Sequence, residues 1–243
     1  MKYIRAFFMC LGMFTSIPCP YRPWDEDARD WMLVMLPLVG LVIGALWYFV
    51  AWLPLTAIQV IWNALIVSFP WLVTGFIHLD GYMDTCDAML SWRPLEKRLE
   101  ILKDSHTGAF AVVGIVILAL FSYDAVADNW IENWQALLFI PVVSRCGSAF
   151  SVLALRPIGH SQYAEMKSHL PQKIAVAAIW LIAVVVCALW RGRTALTLVV
   201  ETAAYALAMT WVYRTLKGVS GDVAGFALTV SECVALMTLY LFQ

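Results

Sequence analysis

The chain has 243 residues, 62% of them hydrophobic and 14% charged, with a formal net charge of −1. Soluble domains usually carry about 25% charged and roughly 45–50% apolar residues, so this is a membrane composition with no room for a soluble domain beside it. With no long basic run, nucleic acid is set aside as a partner; six cysteines without a CxxC pair suggest neither a zinc site nor a disulfide framework.

The first element is a short apolar segment, residues 3–17, behind Lys2 and Arg5 and ended by Pro18, Pro20 and Pro23. It lacks a convincing small-residue cleavage site and reads as a short helix of the mature chain. Apolar stretches of about the 20 residues that cross ~30 Å of hydrocarbon follow at 32–52, 55–77, 107–123, 134–154, 173–190, 195–213 and 222–242. The expected fold is an all-α polytopic membrane helical bundle of about seven transmembrane helices in one domain, residues 1–243. Besides the N-terminal helix, it includes an amphipathic cytoplasmic helix in LEKRLEILKDSHTG. There Leu95, Leu99 and Leu102 form a stripe that suits a membrane surface, while Glu96, Lys97, Arg98, Glu100 and Lys103 point elsewhere.

Orientation follows from basic residues in short loops, which stay cytoplasmic. Arg5, Arg22 and Arg29, then Arg93, Lys97, Arg98 and Lys103, then Lys167, and finally Arg214 and Lys217 all fall on one side of a seven-span chain. The loop with Asp124, Asp128 and Glu132 has no basic residue and suits the outer face; Arg191 and Arg193 conflict with the assignment.

The second span is uncharged until TGFIHLDGYMDTCDAMLSWR, where Asp80, Asp84 and Asp87 stand at spacings of four and three. On a helix that spacing puts three carboxylates on one face, where they repel one another and ask for a cation. Hard oxygen donors favour Mg²⁺ or Mn²⁺ over zinc, so these three are candidate metal ligands. The alternative is a solvated acidic helix end, which is expensive at the mouth of an apolar span without a partner. His78, directly before the run, is either a catalytic candidate or a packing residue. Asp104, Ser105 and Gly108 sit where the amphipathic helix gives way to the third span and are placed to face the same pocket.

In KGVSGDVAGFALTVSE, Gly218, Gly221 and Gly225 surround Asp222 at the start of the last span. Small residues there serve helix packing, or the approach of phosphate to a helix N-terminus; an acid among them is an odd choice for packing alone. Arg145, Glu201 and Glu232 are embedded in spans. Arg145 either pairs with Glu232 or faces a phosphate.

The runs HLDGYMDTCDA, RLEILKDSHTGAF and GVSGDVAG, with FTSIPCP near the N-terminus and the pair Ser144 and Arg145, resemble the cobalamin synthase family, the adenosylcobinamide-GDP ribazoletransferases. The resemblance covers most of the chain and is strongest over residues 78–110. It implies transfer of an adenosylcobinamide phosphate unit from adenosylcobinamide-GDP to α-ribazole or α-ribazole 5′-phosphate, with release of GMP and use of Mg²⁺. The implied setting is the cytoplasmic face of the bacterial inner membrane. Asp80, Gly81, Asp84 and Asp87 match the family's acidic run, Asp104, Ser105 and Gly108 its second block, and Gly221, Asp222 and Gly225 its third. Phe76 and Lys217 stand where glycines are usual, Ala88 replaces a glycine, and Thr229 occupies a commonly acidic position.

On this reading Asp80, Asp84 and Asp87 hold Mg²⁺ on the diphosphate. Asp87, with Asp222 close behind, is the candidate base for the ribazole hydroxyl. Arg93 and Arg145 are candidates for phosphate contact, and Asp104, Ser105, Gly221 and Gly225 complete the substrate-binding set. The expected partners are these small-molecule substrates and membrane lipid, and a homo-oligomer is compatible with the sequence. Two rivals are a CDP-alcohol phosphotransferase, whose acidic signature is spaced differently, and an ion-coupled transporter, which tends to place its acids at the midplane.

Overall fold

The computed structural model describes residues 1–19, 21, 24–53, 58–127, 134–158 and 169–242. Helix α1 (Lys2–Phe14) stops at an extended Thr15 just ahead of Pro18. Asp25 caps the short α2 (Glu26–Arg29), its carboxylate accepting the Asp27 and Ala28 N–H groups, and pairs with Arg5 at 2.6 Å. Next come α3 (Met32–Trp52), α4 (Gln59–Val73), α5 (Ile77–Leu90), α6 (Leu95–Ile101) and α7 (Ala109–Ala127). A 3-10 turn at Trp134–Leu138 leads into α8 (Ile140–Ala154), followed by α9 (Leu170–Arg191), α10 (Ala195–Leu216) and α11 (Gly221–Leu239). Two large apolar clusters hold the described bundle, beside a small one of Ala6, Met9, Ala28 and Met32. One joins α1, α3, α4, α8 and α9 around the fully buried Trp47 and Ile43; the other joins α5, α7, α10 and α11 around Ala88, Val212 and Val223.

Among the described residues, five stretches are long and apolar enough to cross a membrane, one of them the 47-residue run Leu170–Leu216. As one straight helix that run would be about 70 Å long. Instead it folds back at Gly192, which has a φ of +58°. The Trp180 indole N–H donates to the Thr202 hydroxyl at 2.9 Å, so α9 and α10 lie side by side. With α9 and α10 counted separately and the bent pair α4 and α5 counted as one crossing, the described residues contain seven candidate spans by length and composition.

One expectation is corrected. The stretch expected as one span at 55–77 is broken: α4 and α5 meet at 91°. At the corner the Gly75 N–H bonds Leu72 O and the Phe76 N–H bonds Trp71 O, a left-handed helix terminus that satisfies the last carbonyls of α4. The acids therefore ride on a separate helix. The stripe of α6 meets protein on one side: Leu102 is buried and Leu99 half-buried against the cluster that includes Met209 and Leu216, where the helix packs on the ends of α5 and α10.

Contacts between chain-distant ends define one end of the bundle. Val219 donates its N–H to Arg156 O, joining the end of α8 to the start of α11. The Gln172 amide reaches Asp30 O, joining the start of α9 to that of α3. The Gly108 N–H bonds Asp87, joining the start of α7 to α5.

Candidate active site

Helix α5 runs antiparallel to α11, and the two touch backbone to backbone where Gly81 faces Asp222. A Cβ on Gly81 would lie 2.6 Å from the Asp222 Cα. That approach sets Asp222 beside the acidic face of α5: the half-buried Asp84 has Asp80, Asp222 and Asp87 as its charged neighbours. Ser220 opens α11 as its cap, accepting the Val223 N–H at 3.2 Å and donating its hydroxyl to Asp222 Oδ2 at 3.3 Å. Gly225 keeps the helices close one turn further on, where a Cβ would stand 3.2 Å from His78 O, and Thr229 donates to that same carbonyl at 3.4 Å. Gly221 is exposed at the first turn of α11.

Asp87 departs from the expected role of base and metal ligand. One of its oxygens accepts the Gly108 N–H at 2.7 Å and the other the Ala111 N–H at 2.9 Å, and the residue is 8% exposed. A carboxylate at a helix N-terminus satisfies free N–H groups and favours the helix dipole, so Asp87 fastens α7 to α5. A Cβ at Gly108 would stand 2.6 Å from Asp87 Oδ1, so a side chain there would displace the carboxylate from the joint.

His78 is likewise not placed for proton transfer. Its ring is buried and stacked on Phe14 with centroids 6.0 Å apart, and its Nε2 is enclosed without a hydrogen-bond partner. Its charged neighbour is Arg145, inside the bundle. Arg145 does not reach a phosphate. It is 1% exposed and bonds Glu232 at 2.7 Å, while the Ser144 hydroxyl donates to the same Glu232 oxygen at 2.8 Å. This is the structural alternative raised from sequence, a pair that is costly to break from one side only.

Asp104 is exposed and turned to His106, whose Nδ1 lies 2.7 Å away; that hydrogen bond holds the Asp104 carboxyl below its ordinary range. Asp104 is not among the charged neighbours of Asp84. Ser105 and Arg93 are exposed, and the described contact of Arg93 is its carbonyl, which accepts from Arg98 Nε. The structure thus gathers Asp80, Asp84, Asp222, Gly221 and Gly225, and leaves Asp104, Ser105, Arg93, Arg145 and His78 outside the acidic cluster.

Sequence reading missed Ser220, which orients Asp222, although a serine just ahead of a helical run is a cap signal. It also missed a cleft of about 490 Å³ between the end of α1 and the α4–α5 corner, lined by Thr15, Ser16, Thr74 and Phe76 with Asp80 on its rim. The segment FTSIPCP carried the only signal for that wall.

Among the described residues, no Lys or Arg forms an ion pair with Asp80, Asp84, Asp87 or Asp222. No three His, Cys, Asp or Glu among them close into a ready-made metal cage. Cys86 turns its thiol to Gly114 in α7, leaving carboxylate oxygens as the donors. That donor set fits Mg²⁺, which is habitually held by one or two carboxylates and completed by substrate phosphates and water.

A family model described as cobalamin-5-phosphate synthase matches residues 6–240. A protein of Clostridium botulinum (strain Alaska E43 / Type E3) named adenosylcobinamide-GDP ribazoletransferase is 35% identical, covering 98% of each chain. Proteins of that name from Clostridium perfringens (strain 13 / Type A) and Geotalea daltonii are 34% and 30% identical, covering 98% and 97% of each chain respectively. No solved structure matches the chain. These matches favour neither the CDP-alcohol phosphotransferase nor the transporter reading. An acidic face on α5 met by an acid at the start of α11, in a bundle matched over almost its full length, leads to one conclusion: the chain belongs to the cobalamin-5-phosphate synthase family.

Proposed function

We propose that the chain transfers the adenosylcobinamide phosphate unit from adenosylcobinamide-GDP to α-ribazole or α-ribazole 5′-phosphate, releasing GMP, at the cytoplasmic face of a bacterial inner membrane. The observation that carries this reading within the fold is the contact of Gly81 with Asp222, which joins two acidic motifs distant in sequence into one polar wall. The orientation is supported by the basic loops: Arg93, Lys97, Arg98, Lys103, Arg214 and Lys217 belong to the same end of the bundle as the acids.

In the proposed reaction a ribose hydroxyl oxygen of the ribazole bonds to the phosphorus on the cobinamide side of the diphosphate. The bond from that phosphorus to the GMP oxygen breaks, and the hydroxyl proton passes to a carboxylate. Asp222 is the base: it is half-buried and its Oδ2 is held by the Ser220 hydroxyl, which fixes the carboxylate's direction. Asp80 and Asp84 are the residues that would hold Mg²⁺, which when bound offsets the charge on the diphosphate. Asp87 acts one step back, fixing the start of α7 and with it the loop that carries Asp104 and Ser105. The cleft beside Asp80 extends the polar wall away from α11 and is offered to part of the nucleotide-activated substrate.

The test is the purified protein in lipid vesicles with Mg²⁺, adenosylcobinamide-GDP and α-ribazole 5′-phosphate. GMP and a corrinoid product should appear in equal amounts. GMP without corrinoid coupling, or no GMP at all, contradicts the assignment.

A further inference from the structure

Outside the acidic cluster, α8, α9 and α10 enclose a groove of about 410 Å³. It follows α8 from Val143 to Leu155, about 18 Å by helix rise, so it is elongated along the helix axes. Phe150, Ala177, Ala206 and Thr210 on its walls are exposed, so it opens sideways at the depth of the spans. Four of the polar side chains in the lining pair with one another: the Ser151 and Tyr205 hydroxyls are 2.9 Å apart, and the Trp180 indole bonds Thr202. The rest of the wall is mostly carbon, with the exposed Thr210 toward the charged end, a surface that gains dispersion contacts from an apolar occupant.

The end of this groove nearer the acids is marked by charge. Thr202, Ala206 and Thr210 line it at intervals of four on α10, and Arg214 is the next residue in that row. Lys173 stands one turn before the lining pair Val176 and Ala177 on α9, and Arg156 directly follows Leu155 at the end of α8. Among the described residues none of the three side chains has an ion pair or hydrogen bond. Basic residues at the cytoplasmic mouth of an inter-helix groove suit anionic headgroups.

We propose that the α8–α9–α10 groove binds an anionic phospholipid, with one acyl chain along the groove and the phosphate held by Arg156, Lys173 and Arg214. The elongated, mostly apolar walls fit a hydrocarbon chain and offer few hydrogen bonds to a corrinoid or nucleotide. The three cations select an anionic headgroup, whose one phosphate they share at the surface.

The test is competition. Protein purified in mild detergent is mixed with equal amounts of phosphatidylglycerol and phosphatidylcholine, and the lipid retained per chain is weighed by native mass spectrometry. The expected result is one tightly held phosphatidylglycerol, favoured about tenfold or more over phosphatidylcholine and not displaced by inorganic phosphate. The triple variant Arg156→Gln, Lys173→Gln, Arg214→Gln should hold the two lipids equally, and Ala206→Trp, which fills the groove, should hold neither. Equal retention of both lipids by the unaltered protein, or an unchanged preference in the triple variant, overturns the proposal. So does release of the lipid by adenosylcobinamide-GDP, which would give the groove to the substrate.

Discussion

Phe76 occupies a left-handed conformation, with φ +64° and ψ +5°, at the corner where α4 gives way to α5, and Lys217 does the same with φ +59° after α10. Both stand where the resemblance led us to expect glycine, and glycine adopts this conformation without the Cβ clash that costs other residues roughly 1–2 kcal/mol. Phe76→Gly is therefore expected to stabilise the protein by about 1 kcal/mol, read as a higher unfolding midpoint in detergent. Phe76→Ala keeps the strain and should give no such rise; equal gains from both would place the effect in the lost aromatic ring. At this scale sequence was an uneven guide. The acidity of Asp80, Asp84 and Asp222 was plain from their neighbours in the chain. The duties of Asp87, His78 and Arg145 were not, because the groups that engage them, the Gly108 and Ala111 N–H, Phe14 and Glu232, arrive from other helices.

Among the elements, the junction of α5 with α11 governs the site. Gly81→Ala should favour helix formation within α5 by up to about 1 kcal/mol, so any loss of function must come from the new methyl group pressing on Asp222. Turnover is expected to fall by roughly tenfold to a hundredfold, since a displacement near 1 Å is enough for that, with insertion retained and a stability loss of about 1–3 kcal/mol where the methyl group meets backbone. Unchanged GMP release would mean that the close approach does not serve catalysis. Most helices were legible because a span must be long and apolar: 32–52 coincides with α3, and 134–154 takes in the 3-10 turn at Trp134–Leu138 together with α8. The break at Gly75 was hidden, since hydropathy reports burial in lipid and carries no information on backbone direction. The role of α6 was hidden for a related reason, as an apolar stripe looks the same whether lipid or a neighbouring helix covers it.

For the whole molecule, the acids, the basic loops and the start of α11 share one end, while the α9–α10 turn with Arg191 and Arg193 lies at the other. The gathering of distant motifs at one end was inferred from the span count and loop charges, and the antiparallel packing of α5 on α11 supplies the physical link. Both Asp104 and Asp222 were expected at the pocket; Asp222 joins the cluster and Asp104 does not. The most direct test of this account is the rate of GMP release in vesicles at saturating Mg²⁺ for three single variants that insert normally. Asp84→Asn and Asp222→Asn should each lose about 10²-fold or more, the scale of a lost catalytic proton acceptor or charge contact. Asp87→Asn, which keeps an acceptor for the start of α7, should retain turnover within about tenfold. Near-normal rates for Asp84→Asn or Asp222→Asn, or a loss confined to Asp87→Asn, would contradict it.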